Sequence, residues 1–345
     1  MDGQAVDIAF PHGAPPAEGT ARALAPGLLW LSLPLPGPLK SVNVYALEDS
    51  DGWTLVDTGI HSKRSVALWQ SILDGPLAGK PVARVLLTHH HPDHVGMAGW
   101  FHARGAEVWA TRTAWLMARM LTLDEQDRPT PEALAFYRAA GVSPAIYDAR
   151  AAERPYNFAD VVAPIPLGFR RLRDGDRLTL GGRDWDLRVG HGHAPEHATL
   201  WSTDGAFLLA GDQILPGISP NLGVYPTEPE ADPVGEWLAA CTRFQDHATP
   251  DRLVLPGHKL PFTGLPARLG QLIDNHHGAL ARLAAHLAVP CTAEACFQPL
   301  YRRQIGAGEY GLALVEAVGH LNHLHQTGRA TRTRRDDGAW LWRAA

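Results

Sequence analysis

Seven consecutive residues, Thr88-His89-His90-His91-Pro92-Asp93-His94, constrain this chain more than any other stretch. Four imidazoles and a carboxylate stand directly behind Val85-Leu86-Leu87, a short, partly β-branched run that reads as a buried strand. Alternate side chains of an extended chain point the same way, so His89 and His91 project together towards one ion and His90 faces away. Pro92 ends the extended run. Asp93 and His94 then leave at another angle, ahead of the helical pattern Val95–Phe101, and can serve a second ion. Imidazole and carboxylate donors suit zinc, and also iron or manganese. Taken alone, Asp93 could be only a helix N-cap and the histidines only a surface run, but the cluster lies mid-domain, behind a strand.

Four further landmarks also close strand-like runs or follow them. Asp57-Thr58-Gly59 follows Trp53–Val56, and Gly211-Asp212 follows Phe207-Leu208-Leu209-Ala210. Pro256-Gly257-His258 follows Leu253-Val254-Leu255, and Gly192-His193-Ala194-Pro195-Glu196-His197 follows Trp185–Val189. In this order, over roughly residues 28 to 260, the motifs resemble those of the metallo-β-lactamase superfamily of binuclear hydrolases. The resemblance implies that His89, His91 and His193 hold one ion and that Asp93, His94 and His258 hold the other. Asp212 bridges the two, and Asp57 stands behind the ligands without binding metal. It implies two Zn2+ ions, or iron or manganese in their place, and a metal-bridging hydroxide that attacks an electrophilic carbon or phosphorus. Asp93 and Asp212 then take part in catalysis as well as in binding. Ala194 stands where the family usually has threonine, which removes a hydroxyl but no ligand. His191 and His197 are read as neighbours of the ligands. Tyr225, in the loop from Pro216 to Pro226, is a candidate proton donor to the leaving group, with an ordinary packed tyrosine as the alternative.

Composition narrows the field. The chain has 345 residues, 45% hydrophobic and 19% charged, as in ordinary soluble globular proteins. A formal net charge of -5 gives no global attraction to nucleic acid or to an anionic membrane. Three cysteines, Cys241, Cys291 and Cys296, argue against a disulfide framework and for a reducing compartment, and are read as packing thiols. Met1–Pro26 is rich in Ala, Gly and Pro and lacks the charged start and apolar core of a signal peptide. With no apolar run long enough to cross a bilayer, a cytoplasmic location is expected.

The strand and helix signals predict an α+β chain. Residues 1–26 form an irregular arm, and residues 27–275 a four-layer αββα sandwich of the metallo-β-lactamase type with its site at the strand ends. Residues 111–172 read as a helical insertion: a cap that supplies an apolar substrate wall, a subunit interface that would make a homodimer, or a helix pair packed on the sandwich. Residues 276–345 have the order helix, helix, helix, hairpin and resemble a winged helix. A similar appendage occurs in the lactamase-β-like branch of the superfamily. Tyr310–Gln326 reads as a helix with apolar residues at Leu312, Val315, Val318, Leu321 and Leu324. Arg329, Arg332, Arg334 and Arg335 on the hairpin could meet phosphates. A solvated wing or a dimer contact fits better, because Asp336-Asp337 occupies the tip.

The expected activity is hydrolysis of an ester-like small molecule: a thioester, carboxylic ester or lactone, with promiscuous phosphotriester hydrolysis accessible to the same hydroxide. The expected partner is therefore a small-molecule substrate, with neither nucleic acid nor membrane. The alternative is a nucleic-acid phosphodiesterase, similar to the endoribonucleases of the branch, gripping RNA with the winged helix. True β-lactamases are a poorer match, since the antibiotic-cleaving members usually lack the bridging aspartate. An iron-dependent redox protein on the same scaffold would need a flavin domain that the sequence does not show.

Overall fold

The computed structural model describes residues 7–345. Among these residues, fourteen strands form two large sheets and one hairpin. The first sheet takes seven strands in chain order: β1 (Arg22–Ala25), β2 (Leu28–Pro34), β3 (Ser41–Asp49), β4 (Gly52–Val56), β5 (Val82–Leu86), β6 (Glu107–Thr111) and β7 (Arg170–Leu172). Strands β1 to β4 pair antiparallel and β4 to β7 pair parallel. The second sheet runs β12-β11-β10-β9-β8, from β8 (Arg177–Leu180), β9 (Arg183–Gly190), β10 (His197–Ser202), β11 (Phe207–Gly211) and β12 (Leu253–Pro256). Here β11 and β12 pair parallel and the other neighbours antiparallel.

The side-chain period of two explains why the central strands are apolar along their whole length. In β2, Leu28 and Trp30 join a cluster shared with Leu187, Leu200 and Leu209 of the second sheet. Leu31 and Leu33 point the opposite way and pack with Trp69, Ile72 and Phe101 from helices on the outer face. In β3, Tyr45 and Leu47 divide from Val42, Val44 and Ala46 in the same manner. Sheets covered on both faces need such strands, and each fully buried aliphatic side chain stabilises by about 1.5–3 kcal/mol. Among the outer helices, Lys63–Asp74 starts at Ser62, whose hydroxyl accepts the Ser65 N–H at 3.0 Å. Outside the second sheet, Trp201 packs against Phe244 with ring centroids 5.4 Å apart. Helix–sheet–sheet–helix layering of this kind is the predicted sandwich.

Contacts divide the chain into two units: residues 7–125, 157–220 and 244–269 of the described chain, and residues 126–156, 221–243 and 270–345. Several expectations are corrected here. The arm is not irregular throughout, since β1 lies in it and Ala9 pairs with Thr263; its first six residues lie outside the described ones. Strands β6 and β7 were not foreseen; β7 carries Arg170 and Arg171 at the sheet edge and so has no apolar signature. The predicted insertion 111–172 is not one body. Helix Arg112–Leu123 and residues 157–172 belong to the first unit, and only residues 126–156 to the second. The expected boundary at 275/276 falls inside the unbroken helix Leu265–His286.

The second unit holds helices Pro131–Ala139, Pro144–Ala152, Phe297–Tyr301 and Tyr310–Gln326, followed by the hairpin of β13 (Ala330–Arg334) and β14 (Trp340–Ala344). The helix–hairpin order is the predicted one. Tyr310–Gln326 is buried on nearly every side from Ala313 to Leu324, whereas Leu312 is exposed. Gly319 makes this burial feasible. A Cβ there would stand 2.5 Å from the Leu222 carbonyl oxygen, so only glycine admits the neighbouring chain.

Candidate metal centre

The site residues leave the carboxyl ends of parallel strands. Asp57 follows β4, His89 to His94 follow β5, Asp212 follows β11 and His258 follows β12; His193 comes from the turn between β9 and β10. Past β5 the chain bends through Thr88 to His90, is extended again at His91 and then turns into the short helix Pro92–Val95, with Pro92 at its first position. The helix therefore begins earlier than its pattern suggests, and it breaks at Gly96-Met97 before Ala98–His102.

The structure brings seven of the predicted side chains together. His89, His91 and His193 form one group of donors, Asp93, His94 and His258 another, and His89, His94 and Asp212 a third between them; within each group the donor atoms lie within 4.8 Å of one another. His89 Nε2 is 3.0 Å from His91 Nδ1. Asp212 Oδ1 is 3.4 Å from His94 Nε2. Its Oδ2 is 3.2 Å from His258 Nε2 and 3.6 Å from His193 Nε2. Asp93 Oδ2 is 3.2 Å from His258 Nε2 and 3.6 Å from His94 Nε2. Ligands about 2.0–2.1 Å from a tetrahedral zinc ion stand roughly 3.3 Å from each other. The observed spacings scatter around that value. His94 Nε2, His258 Nε2 and Asp212 Oδ1 are buried and make no hydrogen bond within the protein. Buried polar atoms are costly unless satisfied, and a shared cation would satisfy all three. The donor set thus fits divalent cations, with the Asp212 carboxylate reaching both groups.

Asp57 touches the cage from behind. It is buried and adopts a left-handed conformation, φ 64°, which Asp tolerates better than most residues. Its Oδ1 accepts the Thr88 N–H at 2.8 Å, and its Oδ2 accepts the Thr88 hydroxyl at 2.7 Å and the His94 Nδ1–H at 2.7 Å. The Thr88 hydroxyl, having given its proton to Asp57, accepts from His89 Nδ1 at 3.0 Å. One carboxylate therefore sets the tautomer of a histidine in each ligand group and leaves both Nε2 lone pairs facing inward. His258 Nδ1 donates to the Ser41 carbonyl at 2.9 Å, to the same effect.

The His258 turn is gripped from the other sheet. Asn43 Nδ2 donates to the Pro256 and Lys259 carbonyls at 2.9 and 2.8 Å, and the Tyr45 hydroxyl donates to Pro256 O at 2.9 Å. Trp30 Nε1 holds Asn43 Oδ1 at 2.9 Å. Sequence reasoning passed over this clamp, although Asn43 breaks an otherwise apolar strand. His197 stands beside the ligands: its Nε2 accepts the Asp212 N–H at 3.1 Å and its ring stacks on His89 at 4.7 Å. His90 lies outside the three ligand groups and is buried, with its ring parallel to Phe158 at 6.5 Å. Tyr225 lies in the second unit and is exposed.

One glycine beside the cage admits this packing. A Cβ on Gly257 would stand 2.2 Å from Asp212 Oδ1 and 2.8 Å from His94 Cε1. Gly257→Ala is accordingly expected to empty the cage while leaving β12 paired. Metal content per chain after dialysis checks this, and an undiminished stoichiometry would contradict the close fit.

The electrostatics describe a site short of cations. Burial, then the imidazoles of His94 and His91, hold His89 far below the usual histidine range. Burial works against charge on His94 too, but the Asp212, Asp93 and Asp57 carboxylates outweigh it and lift His94 well above that range. His258 is likewise disfavoured by burial and raised by Asp212 and Asp93 to about 10. The raised proton affinity of these two histidines sets protons in competition with an incoming cation. Metal affinity is expected to strengthen as pH rises from about 6 to about 9, with protons released on binding. Titrations in buffers of different ionisation enthalpy measure this; an affinity flat with pH would contradict it.

Comparison with known proteins agrees with the geometry. Residues 37–258 match the model of the Metallo-beta-lactamase superfamily, and residues 280–345 that of the Metallo-beta-lactamase-like C-terminal domain. The chain is 34% identical to a Beta-lactamase domain protein from Burkholderia ambifaria whose crystal structure superposes with a TM-score of 0.91, covering 98% of both chains. It is 29% identical to a metallo-beta-lactamase family protein from Thermus thermophilus, with a TM-score of 0.77 over 94% of this chain and 100% of that one. Over 300 residues it is 24% identical to Probable metallo-hydrolase YqjP of Bacillus subtilis, covering 85% of this chain and 91% of that protein. A two-sheet fold, a cage of histidines and aspartates at its strand ends and a family match over most of the chain lead to one conclusion: the chain belongs to the metallo-β-lactamase superfamily and is a metallo-hydrolase.

Proposed function

We propose that this metallo-hydrolase is binuclear and cleaves an ester-like small molecule, a thioester or carboxylic ester first and a lactone second. The observation that carries the reading is Asp212, whose two oxygens face both histidine groups. When bound, two divalent cations would lower the pKa of a shared water towards neutrality and polarise the carbonyl oxygen of the substrate. The protein's own part is to place and to balance. Asp57 fixes the ring orientations of His89 and His94, and Asn43 and Tyr45 hold the turn that carries His258. Asp93 and Asp212 lower the net charge of the loaded cage, so that an uncharged acyl substrate is acceptable. Asp93, its side chain 20% exposed, is the more open of the two carboxylates.

The hairpin arginines give the nucleic-acid reading little support. Arg332 is paired with Glu230 and Arg335 with Asp337, and Arg334 lies over the Trp340 ring. Side chains so engaged contribute few counterion-releasing phosphate contacts. The chain also has no global positive charge. Among the described residues no helix is long and apolar enough to cross a membrane.

The test joins metal analysis to a hydrolysis panel of acyl-thioesters, aryl esters, lactones, phosphodiesters and phosphotriesters. Metal-dependent turnover of the acyl compounds is expected. Turnover confined to phosphodiesters, with salt-sensitive affinity for RNA, would replace the ester reading with the nuclease one.

A further inference from the structure

The short segment Pro290-Cys291-Thr292-Ala293-Glu294-Ala295-Cys296 of the second unit holds two thiols that the hydrolytic reading does not use. Both cysteines are free, and their sulfurs are 3.7 Å apart. The backbone on either side is held in place. Cys291 pairs with Trp342 of the hairpin in both directions, N–H to O at 3.0 and 2.9 Å. Between the cysteines, Glu294 accepts the Ser143 N–H at 3.0 Å and the Tyr310 hydroxyl at 2.8 Å. Cys296 is buried, and its thiol lies 3.3 Å from the Thr292 carbonyl. Cys291 is only half-buried and follows the exposed Val289 and Pro290, so solutes reach it.

A disulfide needs its sulfurs about 2.05 Å apart, so this pair has to close by roughly 1.7 Å, within reach of rotations at two side chains. We propose that Cys291 and Cys296 are a thiol redox site that reacts with hydroperoxides and closes to a reversible intrachain disulfide. The Cys291 thiolate attacks the peroxide; an S–O bond forms, the O–O bond breaks, and the alcohol or water leaves with a proton. The Cys296 sulfur then attacks the sulfenic sulfur; the S–S bond forms, the S–O bond breaks, and water leaves with the Cys296 proton. The peroxide gains the two electrons that the thiols lose. The order follows from access and from the thiol contact itself. Hydrogen bonding from Cys296 holds Cys291 below the usual thiol range, while that contact and burial push Cys296 up. The more accessible, more acidic sulfur reacts first and the buried one resolves it.

The experiment treats the full chain with hydrogen peroxide, alkylates it under denaturing conditions and maps its peptides by mass. The expected product is one cross-link between Cys291 and Cys296, lighter than the dithiol by two hydrogen atoms and reopened by dithiothreitol. Cys241 should remain alkylatable. In Cys296→Ser, Cys291 should stop at a sulfenic acid that dimedone traps; in Cys291→Ser, Cys296 should stay reduced. Both thiols alkylated after peroxide, or separate sulfinic acids without a cross-link, would overturn the proposal. Oxidation of Cys296 at an unchanged rate in Cys291→Ser would overturn the role given to Cys291.

Discussion

On the binuclear reading, replacing Asp212 with alanine is expected to cut turnover at least about a thousand-fold, since a bridged metal pair would supply several kcal/mol and each 1.36 kcal/mol is tenfold. The side chain removed is the one that approaches His94, His193 and His258 together. Without it the donors divide into two clusters of three with no shared anion, and the repulsion between paired cations is no longer offset. The fold should survive. The backbone N–H of residue 212, which donates to His197, is kept, as is the Gly257 N–H bond to Gly211 O at 2.8 Å. The measurement is kcat/KM on the best substrate of the panel, alongside bound metal and far-ultraviolet circular dichroism. A variant with native spectrum and native rate would remove Asp212 from the mechanism.

Asp57→Ala is the second large effect, and it reaches the cage without touching a ligand. The Thr88 N–H, the Thr88 hydroxyl and His94 Nδ1 would all lose their acceptor in the interior. Each buried orphan costs about 1–3 kcal/mol. Alanine is also strained at a φ of 64°. Loss of the carboxylate that orients a metal-bound histidine typically weakens binding about 10–100-fold, and here one histidine of each group is affected. Metal affinity for both ions and the melting temperature of the metal-free protein should therefore fall together. Asp57→Asn separates the two effects. It tolerates the backbone conformation and keeps one acceptor oxygen, but its amide must face either the Thr88 N–H or the His94 N–H. Intermediate stability with weakened metal binding is expected, and metal affinity equal to wild type would show that orientation by Asp57 does not matter.

Much of this site could be read in the chain because its donors stand directly behind apolar runs. A strand of one residue type announces its own end, and the catalytic residues of such folds sit at those ends. His89, His91, Asp93, His94, Asp212 and His258 were found in this way. What escaped were groups whose role depends on a partner remote in sequence. Asn43 looks like a polar fault in β3 until the Pro256 turn is brought beside it. The division of residues 111–172 was equally hidden, because a helical pattern does not say which core will claim it. β7 escaped because two arginines in three residues give no apolar period.

The ownership of the ligands has one more consequence. His89, His91, Asp93 and His94 come from the first sheet, while His193, Asp212 and His258 come from the second. During synthesis the early strands expose a half-formed chelator long before its complement exists. Only when residue 258 has emerged, with the last helices and the hairpin still to be made, can a captured ion be fully enclosed. An ion held by donors from both sheets would therefore tie one half of the sandwich to the other.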